Sequence, residues 1–301
     1  MSGAIEKSMP ELGPLPGRLR RVLAQNPSPM TGPGTWTEII GSGEVAVIDP
    51  GPGLESHLAA ILATLDPGER VTAILVTHAH RDHSELAPAL ARATGAPILA
   101  YGTATDGRSP AMQRLVAAGM NGGGEGLDLS FTPDRLLRHG ERISGSDWSL
   151  QALHTPGHLG SHLCFAWEDV LFCGDHVMAW APSLVSPPDG DMGAYMESLA
   201  KLAAQNWRLL LPAHGDPIFE PAARLAELTA HRRVREAQIL GTLGAEPICL
   251  EVLTARIYSD IGPELLPAAQ RSALSHLLDL AERKLVWADP SPSPEALWKR
   301  V

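Results

Sequence analysis

Short apolar runs alternate with helically spaced apolar residues over most of the chain. Residues 44–49 (EVAVID) read as a buried strand stopped by Pro50-Gly51-Pro52-Gly53. Residues 54–65 carry apolar positions at helical spacing, Asp66-Pro67-Gly68 breaks them, and residues 71–76 (VTAILV) form a β-rich run. That order predicts strand, helix, turn, strand. Ser84 is placed to cap a helix running through Ala93, Gly95 ends it, and residues 96–101 make the next strand. Periodicity fades over residues 103–128, where no regular structure is expected and 121–126 (NGGGEG) reads as a flexible rim or lid. Strands resume at 148–153, 161–167 and 170–173, the last two joined by Glu168-Asp169, which predicts a mostly antiparallel stretch. A helix over 191–205 and a strand over 207–211 ending at Pro212 close this region near residue 219. Residues 1–35 show little periodicity.

Beyond that point the character changes. Residues 221–240 form a long charged, Ala-rich helical pattern, followed by two more helices and a short strand pair around 284–288. Two domains are therefore expected, 1–219 and 220–301, the first α/β (α+β) in class and the second a small helical module. The 301 residues are 44% apolar, enough for a sizeable core, and 29 Gly with 26 Pro favour tight turns over a coiled coil or helical array. The net charge of −10 supplies no global positive field to draw in nucleic acid. Nearly all of it, −9, falls on residues 1–219. Three cysteines are too few and too odd in number for a disulfide framework, which points to a reducing compartment. No signal-peptide core opens the sequence and no run approaches the ~18 apolar residues that span a bilayer. The expectation is a cytoplasmic protein without a membrane segment.

The chemistry is carried by histidine. Thr77-His78-Ala79-His80-Arg81-Asp82-His83 directly follows an apolar strand, placing four candidate ligands on a strand-end loop. Three imidazoles and a carboxylate within six positions are a costly polar set without a cation. Such ligands suit zinc, with iron or manganese as alternatives, because no thiolate is present to select a softer metal. Three further candidates sit beside Gly or Pro at turns after strands: His158 in Thr155-Pro-Gly-His, Asp175 in Cys173-Gly-Asp, and His214 in Pro212-Ala-His-Gly.

This ordered pattern, HxHxDH then His, Asp and His, resembles the metallo-β-lactamase-fold hydrolases over roughly residues 30–219. The resemblance implies a four-layer αββα sandwich. It also implies two Zn²⁺, one held by His78, His80 and His158, the other by Asp82, His83 and His214, with Asp175 bridging them. Asp82 and Asp175 would be the catalytic carboxylates, Asp82 taking the proton of a metal-bridging hydroxide that attacks an electrophilic carbon or phosphorus. Two divalent cations, two carboxylates and one hydroxide leave such a site at about +1, suited to an oxyanion. His83 and Asp175 stand where true zinc β-lactamases often have Arg and Cys, so antibiotic hydrolysis is disfavoured. Flavodiiron reductases place Glu at the position of His80, so electron transfer is disfavoured too.

Within the superfamily the sequence is most similar to the branch of the mitochondrial β-lactamase-like endoribonuclease and glyoxalase-II-like enzymes. Asn26-Pro-Ser-Pro-Met-Thr31, His231-Arg-Arg-Val-Arg-Glu236 and a winged-helix-like tail carry that likeness, while Trp36 replaces the Asn common in relatives. The implied activity is hydrolysis of an ester, thioester or similar acyl bond in a small-molecule substrate. Metal-dependent cleavage of single-stranded RNA is the alternative, and a mononuclear-iron persulfide dioxygenase a further one. Phosphate contacts rely on Lys and Arg, so the acidic charge argues against long RNA, and the tail is expected to serve packing or homodimer formation. For the Arg232, Arg233 and Arg235 cluster a solvated helix face competes with phosphate contact. His162 and His176 are each open between ligand orientation and packing, whereas His57, His139, His154, His231 and His276 read as surface or structural. Cys164 and Cys173 read as buried fillers.

Overall fold

A computed structural model of the protein describes residues 12–121, 126–259, 261–262 and 265–301. Residues 122–125 of the expected rim at 121–126 and the first eleven residues lie outside them.

The molecule is a four-layer αββα sandwich followed by a winged-helix part. The first sheet has the order β1-β2-β3-β4-β5-β6: β1 (Leu19–Leu23), β2 (Trp36–Ile40), β3 (Glu44–Ile48), β4 (Arg70–Leu75), β5 (Ile98–Ala100) and β6 (Arg135–Leu136). The second runs β11-β10-β9-β8-β7: β7 (Arg142–Ser144), β8 (Ser149–His154), β9 (Leu163–Trp167), β10 (Val170–Gly174) and β11 (Leu209–Pro212). β7 through β10 are antiparallel neighbours, as the hairpin pattern predicts, and β11 joins β10 in parallel.

The period of two along each strand explains why the strands read as continuous apolar runs. In β3, Ala46 and Ile48 enter the core between the sheets with Leu150, Phe165, Phe172 and Leu211. Val45 and Val47 face the opposite way, onto Ile61 of α1 (Glu55–Ala63) and Leu90 of α3 (Ala87–Thr94). On the other side, Leu171 and Leu210 pack against Tyr195 and Leu199 of α5 (Met192–Ala203) and Leu225 and Leu228 of α6 (Pro221–Thr242). The Asp191 carboxylate accepts from the Ala194 N–H at 3.1 Å and caps α5. The far end of α6 contributes Ile239 to a separate core with Leu253 of α7 (Leu250–Ile257), Leu277 of α8 (Leu266–Glu282) and Trp298. Here β12 (Ile248–Cys249), β14 (Leu297–Arg300) and β13 (Val286–Asp289) form a three-stranded sheet. His276 of α8 is buried with neither ring nitrogen bonded, and burial, reinforced by Arg232 and Arg235, lowers its pKa to about 3. No helix among the described residues is long and apolar enough to cross a membrane.

Three expectations need correcting. Residues 19–23 are an edge strand: Arg20 and Arg21 hide the apolar signal because they are held by Glu69 and Glu38 rather than by solvent. Residues 103–128 contain α4 (Pro110–Ala117), started by Ser109, whose hydroxyl accepts from the Met112 N–H, and by Pro110 in the first turn. Its Met112 reaches into the core of the winged-helix part. Ser84 does not cap α3, which starts after Leu86 without a side-chain cap. Its hydroxyl instead donates to the His80 carbonyl, and alternatively to Asp128 Oδ2, both at 3.0 Å. Gly95, at φ 75°, ends α3 as read.

Candidate metal centre

β3, β4, β8, β10 and β11 all point their C-terminal ends toward one rim, and the loops leaving those ends carry the site. After β4 the chain stays extended through His80, then makes the single turn α2 (Arg81–Ser84). This change of direction divides the motif. His78 and His80 meet His158 and Asp175, while Asp82 and His83 meet His214.

Distances within the groups match ligands of shared cations. His80 Nδ1 lies 2.9 Å from His78 Nε2 and 3.0 Å from His158 Nε2. His214 Nε2 is 3.3 Å from Asp82 Oδ2, and His83 Nε2 is 3.4 Å from the same oxygen. Two ligands of a tetrahedral zinc at ~2.1 Å stand about 3.4 Å apart. The Asp175 oxygens divide between the groups: Oδ1 faces His214 and His83 at 3.3 and 3.5 Å, while Oδ2 faces His158 and His78 at 3.7 and 3.9 Å. Asp175 Oδ1 and His83 Nε2 are buried without any hydrogen-bond partner, as atoms reserved for a cation would be.

The outward nitrogens of His78, His83, His158 and His214 are fixed, so their inward lone pairs are aimed. His158 Nδ1 donates to the Leu184 carbonyl at 2.6 Å and His214 Nδ1 to the Gly34 carbonyl at 3.2 Å. Asp49, which the sequence reading did not single out, organises two ligands. Its carboxylate accepts from His83 Nδ1 at 2.9 Å, from the Thr77 N–H at 2.8 Å and from the Thr77 hydroxyl at 2.7 Å. That leaves Thr77 Oγ1 to accept from His78 Nδ1 at 3.0 Å. Asp49 is 2% exposed and adopts the left-handed φ of 48°. The only sequence signal was an acidic residue ending a buried strand before Pro-Gly.

His162 orients the site. Its Nδ1 donates to Thr155 Oγ1 and its Nε2 accepts the Asp175 N–H at 3.3 Å. Between Cys173 and Asp175, Gly174 holds φ 48°, and a Cβ there would lie 2.7 Å from His162 Nε2 and 2.9 Å from Thr77 Oγ1. His176 stays outside both groups, packed on Tyr195 with neither nitrogen bonded. The Asn26 motif has a role too. Asn26 Nδ2 donates to Thr35 Oγ1 at 3.0 Å, and that hydroxyl donates onward to Asp82 Oδ2 at 3.4 Å. Trp36 Nε1 donates to the Gly215 carbonyl and braces the His214 turn.

The charges fit a cation. Burial opposes protonation of His83 and His214, yet the surrounding Asp82 and Asp175 carboxylates hold His83 well above its ordinary range and His214 up to about 10. Burial would raise Asp175 and Asp82 as well, but those same histidines hold both below the usual carboxylate range. Burial, with His158 nearby, pushes His80 down to about 3. Divalent cations can replace the protons on His83 and His214 and use the neutral imidazoles directly. Cys164, its thiol pushed up to about 12 by burial, is no nucleophile.

A cleft of about 520 Å³ adjoins the centre, lined by Arg81, Arg108, Val116, Met120, Leu127 and Pro188. Leu127 pairs with His80 across an isolated β-bridge. Arg108, also on the lining, is ion-paired with Asp189, two residues before Asp191, whose N–H donates to the Gly157 carbonyl beside His158.

Comparison with known proteins agrees with this architecture. The metallo-beta-lactamase superfamily profile matches residues 30–214, and that of the beta-lactamase associated winged helix domain matches residues 250–298. The lactamase-like protein aptB of Emericella nidulans is 28% identical over 97% of this chain and 90% of its own length. An atrochrysone carboxyl ACP thioesterase of Aspergillus chevalieri is 31% identical over 78% of this chain and 68% of its own. The crystal structure of a metallo-beta-lactamase family protein from Thermus thermophilus superposes with a TM-score of 0.74 at 25% identity, covering 95% of this chain and 99% of that one. With the superfamily profile spanning more than half of its length, the chain belongs to the metallo-beta-lactamase superfamily.

Proposed function

We propose that the protein is a binuclear zinc-dependent hydrolase of acyl thioesters or related esters, its catalytic domain ending near residue 219 and the winged-helix part following. The observation that carries this reading is the division of the Asp175 oxygens between two ligand groups. In it, His78, His80 and His158 would hold one metal and Asp82, His83 and His214 the other, with Asp175 placed to serve both. Bound metal supplies Lewis-acid polarisation of the substrate carbonyl and lowers the pKa of a water. Asp82, a quarter exposed at its side chain, accepts the proton released on attack. His162 and Gly174 keep Asp175 in register beneath it. Water adds to the carbonyl carbon, the carbon–sulfur bond breaks, and the products are a carboxylate and a thiol.

Substrate class follows from the cleft and from a relative. The apolar wall of Val116, Met120 and Leu127 suits an acyl chain, and Arg81, without an ion-pair partner among the described residues, suits an anionic group at its mouth. The Aspergillus chevalieri relative carries a thioesterase name. RNA is less favoured because Arg232 is buried at 4% exposure and Arg235 lies against the Tyr258 ring, which leaves Arg233 as the one exposed arginine of the cluster, too little for a phosphate track. Three free thiols fit the cytoplasm.

Zinc-loaded protein assayed side by side on a panel of acyl-pantetheine thioesters and on single-stranded RNA tests the reading. Thioester turnover that disappears in Asp175→Ala is expected. RNA cleavage lost in the same variant, without thioester turnover, overturns the substrate assignment.

A further inference from the structure

The stretch from 175 to 191 contains no helix or strand, yet it supplies the Leu184 carbonyl that fixes the His158 ring. A loop without its own hydrogen-bond ladder holds a carbonyl in place only if something else grips it. In this structure the grip comes from α6. Arg224 donates from Nε to the Met178 carbonyl at 2.8 Å and from Nη2 to the Ala181 carbonyl at 3.0 Å. Two turns further on, Arg232 donates from Nη2 to the Ser183 carbonyl, the residue next to Leu184.

Arg232 is unusual as a buried charge. It has no carboxylate partner among the described residues; its Nη1 reaches Ser272 Oγ on α8 at 3.3 Å, and its buried Nε has no hydrogen-bond partner among them. Its guanidinium stands 5.2 Å from the centre of the Tyr195 ring. Tyr195 and Ser183 in turn donate their hydroxyls to the His176 carbonyl, at 3.2 and 3.0 Å, and so tie the start of the same loop, one residue past Asp175. A desolvated guanidinium is expensive and persists where its donors meet acceptors in fixed directions. All the acceptors here are loop carbonyls or the hydroxyl of α8.

We propose that Arg232 is a positioning residue for His158: through Ser183 and Leu184 it couples the winged-helix part to the first metal group. This inference rests on the ligand assignment given above. It accounts for the burial of Arg232 in a basic motif on α6 whose Arg233 faces outward, and it makes the winged-helix part a structural support of the metal centre.

The test is zinc binding by the full chain, measured by metal content after dialysis and by competition with a chromophoric chelator. The visible spectrum of the cobalt-loaded protein serves as a second readout. Arg232→Met is expected to bind one zinc as the native protein does and the other about 10- to 100-fold more weakly. His158→Ala, the benchmark, is expected to lose that same zinc, and the cobalt bands of both variants should change alike. If Arg232→Met retains both zinc affinities and the native cobalt spectrum while His158→Ala loses one metal, the coupling is wrong and the ligand assignment stands. If His158→Ala itself binds both zincs normally, the ligand assignment fails and the coupling with it. Should Arg232→Met not fold, Arg232→Lys decides. A single ammonium replaces the planar fork whose arms reach Ser183 and Ser272, so weakening of a single zinc is expected and native affinity for both overturns the proposal.

Discussion

Replacing Asp49 by Asn keeps the shape of the side chain and removes one acceptor oxygen. In the native site Oδ2 accepts from the Thr77 hydroxyl at 2.7 Å and from His83 Nδ1 at 2.9 Å, while Oδ1 accepts the Thr77 N–H at 2.8 Å. An amide must turn its NH₂ to one of these sides, where it meets the hydrogens that the carboxylate accepts in the native site. With the NH₂ toward His83, that ring must move its proton from Nδ1 to Nε2, the atom 3.4 Å from Asp82 and 3.5 Å from Asp175. The proton then occupies the lone pair the metal needs. With the NH₂ toward the Thr77 N–H, two buried donors face each other, and His78, held through Thr77 Oγ1, loses its alignment. Loss of one outer support of a ligand weakens metal binding by about 10- to 100-fold, or ~1.4–2.7 kcal/mol. Since Asp49 supports a ligand in each group, its variant belongs at the upper end of that range. Zinc content after dialysis and chelator competition measure the effect, with far-ultraviolet circular dichroism as a check on folding. A folded Asp49→Asn protein that binds two zincs with native affinity refutes the reasoning.

Asp82→Ala removes the oxygen shared by His214 and His83. It should lower metal content from two per chain to one and reduce kcat/KM by about 10²- to 10⁴-fold, and full activity with one metal would count against the binuclear scheme. Gly174→Ala introduces a Cβ 2.7 Å from His162 at a left-handed φ, so urea unfolding should show a loss of about 1–3 kcal/mol. An unchanged midpoint would mean that His162 and Thr77 can give way. His276 has its folded pKa depressed to about 3, so the unfolded chain binds its extra proton first as pH falls below ~6.5. Native stability is thus lost between pH 6.5 and 3, and this group alone costs about 2 kcal/mol between pH 7.5 and 5. In His276→Leu the drop in unfolding free energy over that interval should shrink by about that amount. An identical drop in variant and native protein would contradict it.

The residues of the candidate metal centre were legible where the chain itself brings chemistry together. His78, His80, Asp82 and His83 share one strand-end loop, and His158, Asp175 and His214 each stand beside a Gly or Pro that makes a strand-end turn. The alternation that feeds two cores from one strand made β3, β4, β9 and β10 readable as well. What escaped depends on partners distant in sequence. Asp49 acts on residues 28 and 34 positions away, and no local pattern distinguishes it from any acidic strand end. β1 was hidden because its arginines are neutralised by Glu69 and Glu38. Arg232 sits in a stretch whose composition reads as a solvated basic face; only the packing of α8 and the 178–184 loop over it makes it interior.

These hidden contacts share a direction. In each proposed metal group, ligands from the first sheet meet ligands from the second: His78 and His80 with His158, and Asp82 and His83 with His214. Neither sheet alone therefore carries a complete group, and the geometry of both depends on how the sheets face each other across Ile48, Leu75, Phe165, Phe172 and Leu211. A close-packed core of this kind resists sliding, which holds ligand separations near those a cation requires. The loops at the rim are the weak part of the design, because each leaves a strand and loses its ladder. Every one of them is tied by a buried polar contact from elsewhere: the Thr77 loop by Asp49, the His214 turn by Trp36 and Gly34, and the His158 support by Arg232. The packed sheets set the ligand positions to within the reach of a metal, and these ties set the ring directions.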